Sequence, residues 1–327
     1  MTMSLPAFDY REPETLDEAA RMLDEIGPTA VVLAGGTDLV PSMKRRQITP
    51  GTVVSLAALD ILRGIRIGDD GTVAVGAGTL LSELERSSVV PSALAVAAGA
   101  VASPQIRNVA TVGGNLCLDT RCNYIDMPEL WREASGPCLK EGGDVCWVAP
   151  RSDRCWAICS SDLAPAAIAL DASVHLVSSR GERSIPVADL WTGDGSDHLT
   201  KDPGEILTEL RIPPAPGRRA TYHKLRRRQS IDFPLLGVAA SLTIRESGAI
   251  GDVRIVFGAV APAPLRATDA ELLVEGGTLS PDSIDEAARV AARIVRPLDN
   301  TDLGSRYRKW MASVLVSRAL HELAESS

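Results

Sequence analysis

Ala102-Ser103-Pro104-Gln105-Ile106-Arg107-Asn108-Val109-Ala110-Thr111-Val112-Gly113-Gly114-Asn115 is the stretch on which the fold of this chain turns. A short β-branched run reaches a Gly-Gly turn. Glycine lets the backbone take positive φ and lets another group approach closely. Consecutive N–H groups in such a turn form an anion-binding nest. A second turn of this kind, Ala34-Gly35-Gly36-Thr37-Asp38-Leu39, follows the apolar run Ala30 to Leu33. Either turn alone is ordinary turn chemistry, as is the similar Gly76-Ala77-Gly78-Thr79. Two together could share one pyrophosphate. None forms G-x-G-x-x-G after a strand, so a Rossmann site is not supported.

Around these turns the chain reads as mixed α and β. Apolar residues at helical spacing over Thr15 to Ile26 predict a helix that Pro28 ends. Ala30 to Leu33 and Thr52 to Ser55 predict buried strands, and Leu62 to Ile67 with Val73 to Val75 a hairpin. Leu80 to Glu85 and the Ala-rich Ala93 to Val101 predict helices, the second broken by Pro104. Ser173 to Ser178, Ser184 to Val187 and Gly204 to Ile212 predict further strands. Pro213-Pro214-Ala215-Pro216-Gly217 is the clearest linker. Beyond it, Thr221 to Leu225, Leu236 to Ile244 and Val253 to Val260 predict an antiparallel sheet, then Ser283 to Val295 and Ser305 to Glu325 helices.

With 327 residues, 45% of them hydrophobic, the chain can bury a sizeable core in two or three subdomains. Aromatic residues make up only 4%, so Ala, Val, Leu and Ile must fill that core. A net charge of −8 disfavours nucleic acid as the main partner. The opening MTMSLPAFDYREPETLDEA lacks a basic region followed by an apolar run, and no apolar run reaches membrane-span length. The expected compartment is the cytoplasm, where clustered cysteines bind metal or do redox chemistry more often than they form disulfides.

All six cysteines lie between Thr111 and Leu163: Cys117, Cys122, Cys138, Cys146, Cys155 and Cys159. Trp131, Trp147 and Trp156 fall there too and are read as a small apolar core and lid. There is no C-x-x-C pair, which removes the strongest zinc and thioredoxin-like signals. Four thiolates carried on long loops can still hold zinc or an iron–sulfur cluster, and spacing does not choose between them. The intervening residues are rich in glycine and charge, so a metal centre would supply order that apolar burial cannot. His175, His198, His223 and His321 are scattered and are read as surface or structural.

The stretch from Ala102 to Asn115 closely resembles the second flavin loop of the FAD-binding (medium) subunits of the xanthine dehydrogenase and carbon monoxide dehydrogenase family. Ala34 to Leu39 resembles their first flavin loop. Ser161 to Ala164, Tyr222-His223-Lys224-Leu225-Arg226-Arg227-Arg228 and Asp232-Phe233-Pro234-Leu235 also fit in order. The resemblance implies an α+β fold. It consists of a two-part FAD-binding domain of the vanillyl-alcohol-oxidase (PCMH) type over 1–58 and 59–217, followed by a C-terminal domain of a small antiparallel sheet with helices over 218–327. It implies FAD contacts from Val32, Leu33, Ala34, Gly35, Gly36, Thr37, Asp38 and Leu39, and from Thr111, Val112, Gly113, Gly114 and Asn115. Asp162 would also bind the cofactor. Lys224 would lie near the flavin ring, where a cation stabilises reduced, anionic flavin; its competing reading is a solvated member of a basic run.

An insertion at about 117–160 narrows the resemblance to the β subunit of 4-hydroxybenzoyl-CoA reductase, whose insertion carries a 4Fe-4S cluster. That implies Cys122, Cys138, Cys146 and Cys155 as ligands, with Cys117 and Cys159 as packed thiols. The implied role is electron transfer inside a cytoplasmic heterotrimer. The partners would be a large molybdenum-cofactor subunit, a small 2Fe-2S subunit and a ferredoxin-like donor or acceptor. Electrons would run inward to reduce an aromatic thioester. The alternatives are outward flow in an aromatic or N-heterocycle hydroxylase or dehydrogenase, and a zinc-stabilised binding protein without redox chemistry. No catalytic acid–base pair is evident in this chain.

Overall fold

Thr15 opens the first helix, Leu16–Ile26, by accepting the Glu18 N–H on its side chain, and Gly27 ends it at φ 71°. The computed structural model describes residues 4–245 and 248–325, so the reading of Met1 to Met3 as lacking a leader lies outside the described residues. The helix buries Ala19, Ala20 and Leu23 against a parallel sheet ordered Asp9–Arg11, Thr52–Ser55, Ala30–Leu33. The central strand Thr52–Ser55 is buried at every residue, whereas each residue of the edge strand Ala30–Leu33 is only half-buried. That half-covered edge runs straight into the first Gly-Gly turn.

A five-stranded antiparallel sheet follows, ordered Ile65–Ile67, Val73–Gly76, Ile206–Ile212, Ser173–Ser178, Gly181–Pro186. Its core includes Leu81, Leu84, Leu94, Leu116, Leu163 and Leu210, all inaccessible to solvent. Burying each such side chain contributes about 1.5–3 kcal/mol. The helix Leu163–Ala169 is buried at every residue.

That helix explains why Leu236–Ile244 is buried on both faces for most of its length. Leu236, Val238, Ala240 and Leu242 point into the C-terminal core, while Ala239 belongs to the core around Leu163–Ala169. Ser241 Oγ donates to Ala169 O at 2.5 Å across the same contact. The C-terminal sheet is antiparallel, ordered Leu265–Arg266, Ile250–Gly258, Leu236–Ile244, Arg218–Leu225. Thr268–Val274, Pro281–Ala291 and Ser305–Glu325 cover its outer face. Among the described residues no helix is long and apolar enough to cross a membrane.

Three local readings need correction. The Ala-rich helix is Ser92–Gly99 and has ended before Pro104, which itself opens a short helix, Pro104–Arg107, because Ser103 caps it and proline is tolerated in a first turn. The predicted helix Ser283 to Val295 is Pro281–Ala291, with Ser280 as cap and proline again leading. The strand expected from Leu62 is only Ile65–Ile67, since Asp60–Leu62 forms a 3-10 turn.

Candidate flavin and thiol site

The two glycine turns touch. A Cβ placed on Gly35 would lie 2.1 Å from Val109 O, so only glycine lets the first loop press against the backbone leading into the second. Gly36 sits at φ +67°, the left-handed region that glycine adopts without penalty. Among the described residues, the N–H groups of Gly35, Gly36, Thr37 and Asp38 donate to no protein acceptor. Thr37 is exposed, and Val32 to Gly36 with Asp38 and Leu39 are half-buried. Free donors at a glycine turn beside a half-covered apolar strand suit a ligand that is anionic at one end and apolar at the other.

The second turn is built differently from the free nest expected of it. Val112–Leu116 is a short helix whose first turn Thr111 caps by accepting Gly114 N–H at 3.1 Å. Val112 N donates to Thr79 O at 3.0 Å, Gly113 N to Ala77 O at 2.8 Å and Asn115 N to Thr111 O at 2.9 Å. Gly113 is needed for packing, since a Cβ there would meet Ala77 Cβ at 2.8 Å. Gly114 alone in this turn is exposed. Asn115 Oδ1 accepts from Ser161 Oγ at 2.8 Å and Leu163 N at 3.2 Å, joining the two ends of the cysteine-rich stretch. Arg107 fixes the approach to this turn through Glu85, at 2.9 Å, and Val101 O.

Asp162 and Lys224 lie together, away from solvent. Lys224 Nζ donates to Asp162 Oδ2 and Asp232 O at 2.9 Å and to Ala100 O at 2.8 Å. Tyr222 O–H donates to Asp162 Oδ1 at 2.6 Å. Burial pushes the Asp162 carboxyl up and the Lys224 ammonium down, and each partner's charge opposes the shift. Lys224 is therefore not a solvated member of a basic run. Arg227 pairs with Asp302 at 2.8 Å and Arg228 with Asp232 at 3.0 Å.

Cys122, Cys138, Cys146 and Cys155 are buried, unpaired by disulfides, and line one pocket enclosing about 280 Å³ of non-protein space, part of it open to solvent. Little regular structure brings them together, and specific contacts do the work. Arg121 and Ile158 exchange backbone hydrogen bonds at 2.9 and 2.7 Å, pinning the insertion's ends. Gly143 permits the tight return between Cys138 and Cys146, because a Cβ there would sit 2.0 Å from Pro137 O. Buried Arg132 donates to Glu141 at 2.6 Å and to Met127 O at 2.9 Å. Burial pushes the Cys122 thiol up to about 12 and raises Cys155, against which the Ala157 N–H and then the Lys140 ammonium act. Among the described residues, no three His, Cys, Asp or Glu side chains converge tightly enough to hold a single metal ion. A cluster needs thiols spread around a larger volume than one ion does, and cysteine thiolates are its usual ligands. The donor set fits such a group.

Cys117 is half-buried and Cys159 buried, and neither lines this pocket. The tryptophans do not form the small core expected of them. Trp131 is 62% exposed, Trp156 lies beneath the Arg154 guanidinium at 4.3 Å, and only Trp147 lines the pocket. Arg–Trp stacking and loop burial replace an aromatic core there.

Sequence reasoning missed four residues that knit the site. Arg121 pairs with Asp38 of the first loop and lies 4.4 Å over the Phe233 ring, joining three segments. Lys140 anchors on Asp119. Half-buried His198 has Nδ1 3.7 Å from Asp119, and desolvation holds its pKa below the ordinary value. Tyr222 was within reach of the sequence, since it stands two residues before Lys224 and a strand puts both on one face. Arg121, Lys140 and His198 meet their partners Asp38 and Asp119 only through folding and left no local pattern.

Residues 6–215 match the family described as the FAD binding domain in molybdopterin dehydrogenase, and residues 220–323 the CO dehydrogenase flavoprotein C-terminal domain. The chain is 29% identical to the carbon monoxide dehydrogenase medium chain of Hydrogenophaga pseudoflava over 97% of this chain and 96% of that one. It is 34% identical to the aldehyde oxidoreductase FAD-binding subunit PaoB of Escherichia coli K12, over 82% of this chain and 86% of that one. The solved carbon monoxide dehydrogenase from Hydrogenophaga pseudoflava superimposes with a TM-score of 0.79 at 28% identity, covering 98% of both chains. Loops, fold and matches together define a flavoprotein chain. It belongs to the FAD-binding medium subunits of the xanthine and carbon monoxide dehydrogenase family, with FAD as its cofactor.

Proposed function

We propose that this chain is the FAD- and 4Fe-4S-bearing electron-transfer subunit of a cytoplasmic, molybdenum-containing oxidoreductase of the 4-hydroxybenzoyl-CoA reductase kind. The observation that carries the cluster reading is the single pocket lined by four buried free thiols, Cys122, Cys138, Cys146 and Cys155. FAD, when bound, supplies a two-electron store that can exchange electrons singly, and the cluster supplies a one-electron relay. The chain's own residues bind and orient these groups. The unpaired N–H groups of Gly35 to Asp38 receive the pyrophosphate, and exposed Gly114 lets it approach the second turn. Asp162 and Lys224 fix the C-terminal sheet against the flavin unit. Arg121 ties the cysteine insertion to Asp38.

In this reading the chain takes electrons from a ferredoxin-like donor and delivers them to a small 2Fe-2S subunit and a large molybdenum subunit, where an aromatic thioester is reduced. A second reading reverses the flow and makes the substrate an aromatic or N-heterocycle that is hydroxylated. The names of the relatives favour it, since the carbon monoxide chain is a dehydrogenase subunit and the xanthine chain of Escherichia coli O157:H7, 26% identical over 96% of this chain and 94% of that one, is another. Substrate screening of the complete complex separates these two. Anaerobically purified protein is expected to be yellow-brown, with flavin bands and a broad iron–sulfur absorption. Colourless protein carrying zinc overturns both readings in favour of a non-redox binding protein.

A further inference from the structure

Lys140 stands two residues after Cys138, in the wall of the thiol pocket, with its side chain only 8% exposed. An ammonium has three N–H donors. All three are taken: by Asp119 Oδ1 at 2.7 Å, Thr120 Oγ1 at 2.8 Å and Gly195 O at 2.8 Å. With no donor left for sulfur, what Lys140 brings to the pocket is a fixed charge. Asp119 faces it from the segment that follows the second flavin turn. Asp119 N also donates to Asp38 Oδ2 at 3.1 Å, so the pair is anchored to the first flavin loop as well. His198, the other titratable group facing Asp119, is held below its ordinary pKa by desolvation and adds little positive charge near neutrality.

We infer that Lys140 is the buried counter-charge that sets the reduction potential of a cluster held by Cys122, Cys138, Cys146 and Cys155, with Asp119 moderating it. The inference rests on the cluster reading above. Reduction adds one negative charge to the cluster. A nearby buried cation favours the reduced form, and a nearby carboxylate opposes it. Net charge is one of the quantities that set such potentials. Because the pair is fastened to the first flavin loop through Asp38, a change in the cluster potential shifts how one electron is shared between cluster and flavin.

The test is a redox titration of the intact complex, followed by the electron paramagnetic resonance of the reduced cluster. Lys140→Gln is expected to make the cluster potential more negative by about tenfold in the one-electron equilibrium constant, about 59 mV. Asp119→Asn is expected to move it the opposite way, and Lys140→Arg to stay near wild type. A merely structural role would not produce shifts of opposite sign. Unmoved potentials in Lys140→Gln and Asp119→Asn with full iron content, or shifts of the same sign, overturn the inference and leave the cluster reading intact. If Lys140→Gln fails to assemble, an unmoved Asp119→Asn potential overturns it equally. A wild-type complex without iron overturns both inference and cluster reading.

Discussion

Lys224 Nζ lies 2.9 Å from Asp162 Oδ2, and each side chain of this pair is only 3% exposed. The pair joins the strand Arg218–Leu225 of the C-terminal sheet to the turn that closes the cysteine-rich stretch. A buried ion pair is costly to halve, because the remaining charge has neither water nor partner. Asp162→Ala is therefore expected to destabilise the protein by about 3–5 kcal/mol, and Tyr222→Phe, which removes one donor to the carboxylate, by about 1.5–3 kcal/mol. Denaturant unfolding checks both. An Asp162→Ala cost no larger than that of Tyr222→Phe contradicts the pair's structural role.

Gly35→Ala places a methyl group 2.1 Å from Val109 O and must push the two loops apart. Gly114→Ala meets only Thr111 Oγ1, at 3.0 Å, on an exposed position. The expected result is at least about tenfold weaker FAD binding for Gly35→Ala, on the order of 1.4 kcal/mol, and a smaller loss for Gly114→Ala. Flavin fluorescence after dilution gives the comparison. Equal retention in both variants contradicts the close-approach argument.

Cys138→Ala is expected to abolish the iron–sulfur absorption while leaving FAD bound. The glycine loops meet through Gly35 and Val109, outside the thiol pocket. Metal analysis and the visible spectrum of the purified variant report both quantities. Survival of both cofactors sinks the ligand assignment.

Glu205 accepts Arg183 Nε at 2.6 Å and Nη2 at 2.8 Å, and the Asp202 N–H at 2.7 Å. The Arg183 bonds hold its carboxyl below the ordinary value of 4.5. Asp171, bonded to Arg254, is likewise held below 3.8. Groups with depressed folded-state pKa bind protons more readily when unfolded. Their stabilisation is present above the unfolded value and is lost as pH falls through the folded one. Unfolding free energy is expected to decline below about pH 4.5, and Glu205→Gln to flatten the upper part of that decline. An unchanged acid limb in Glu205→Gln contradicts the assignment.

Much of this architecture was legible because periodicity and punctuation agreed. Apolar spacing fixed Leu16–Ile26, and alternation fixed Ser173–Ser178. The Gly-Gly turns marked both loops, although only folding reveals that the second spends its N–H groups on Thr79, Ala77 and Thr111. The four pocket thiols could be counted in the sequence, but their meeting depends on long-range contacts such as Arg121 with Ile158 and on the Gly143 return. Lys224 shows the limit most clearly. In sequence it belongs to a basic run, and its burial depends on Asp162, sixty-two positions away along the chain. Charge runs are informative about solvent only where no partner waits elsewhere in the fold.

The central claim is that flavin and an iron–sulfur cluster share this chain. Iron, acid-labile sulfide, zinc and FAD content per chain, measured on anaerobically purified protein, tests it most directly. The account predicts one FAD with about four irons and about four sulfides. One FAD with neither iron nor sulfide, or zinc in their place, would contradict it.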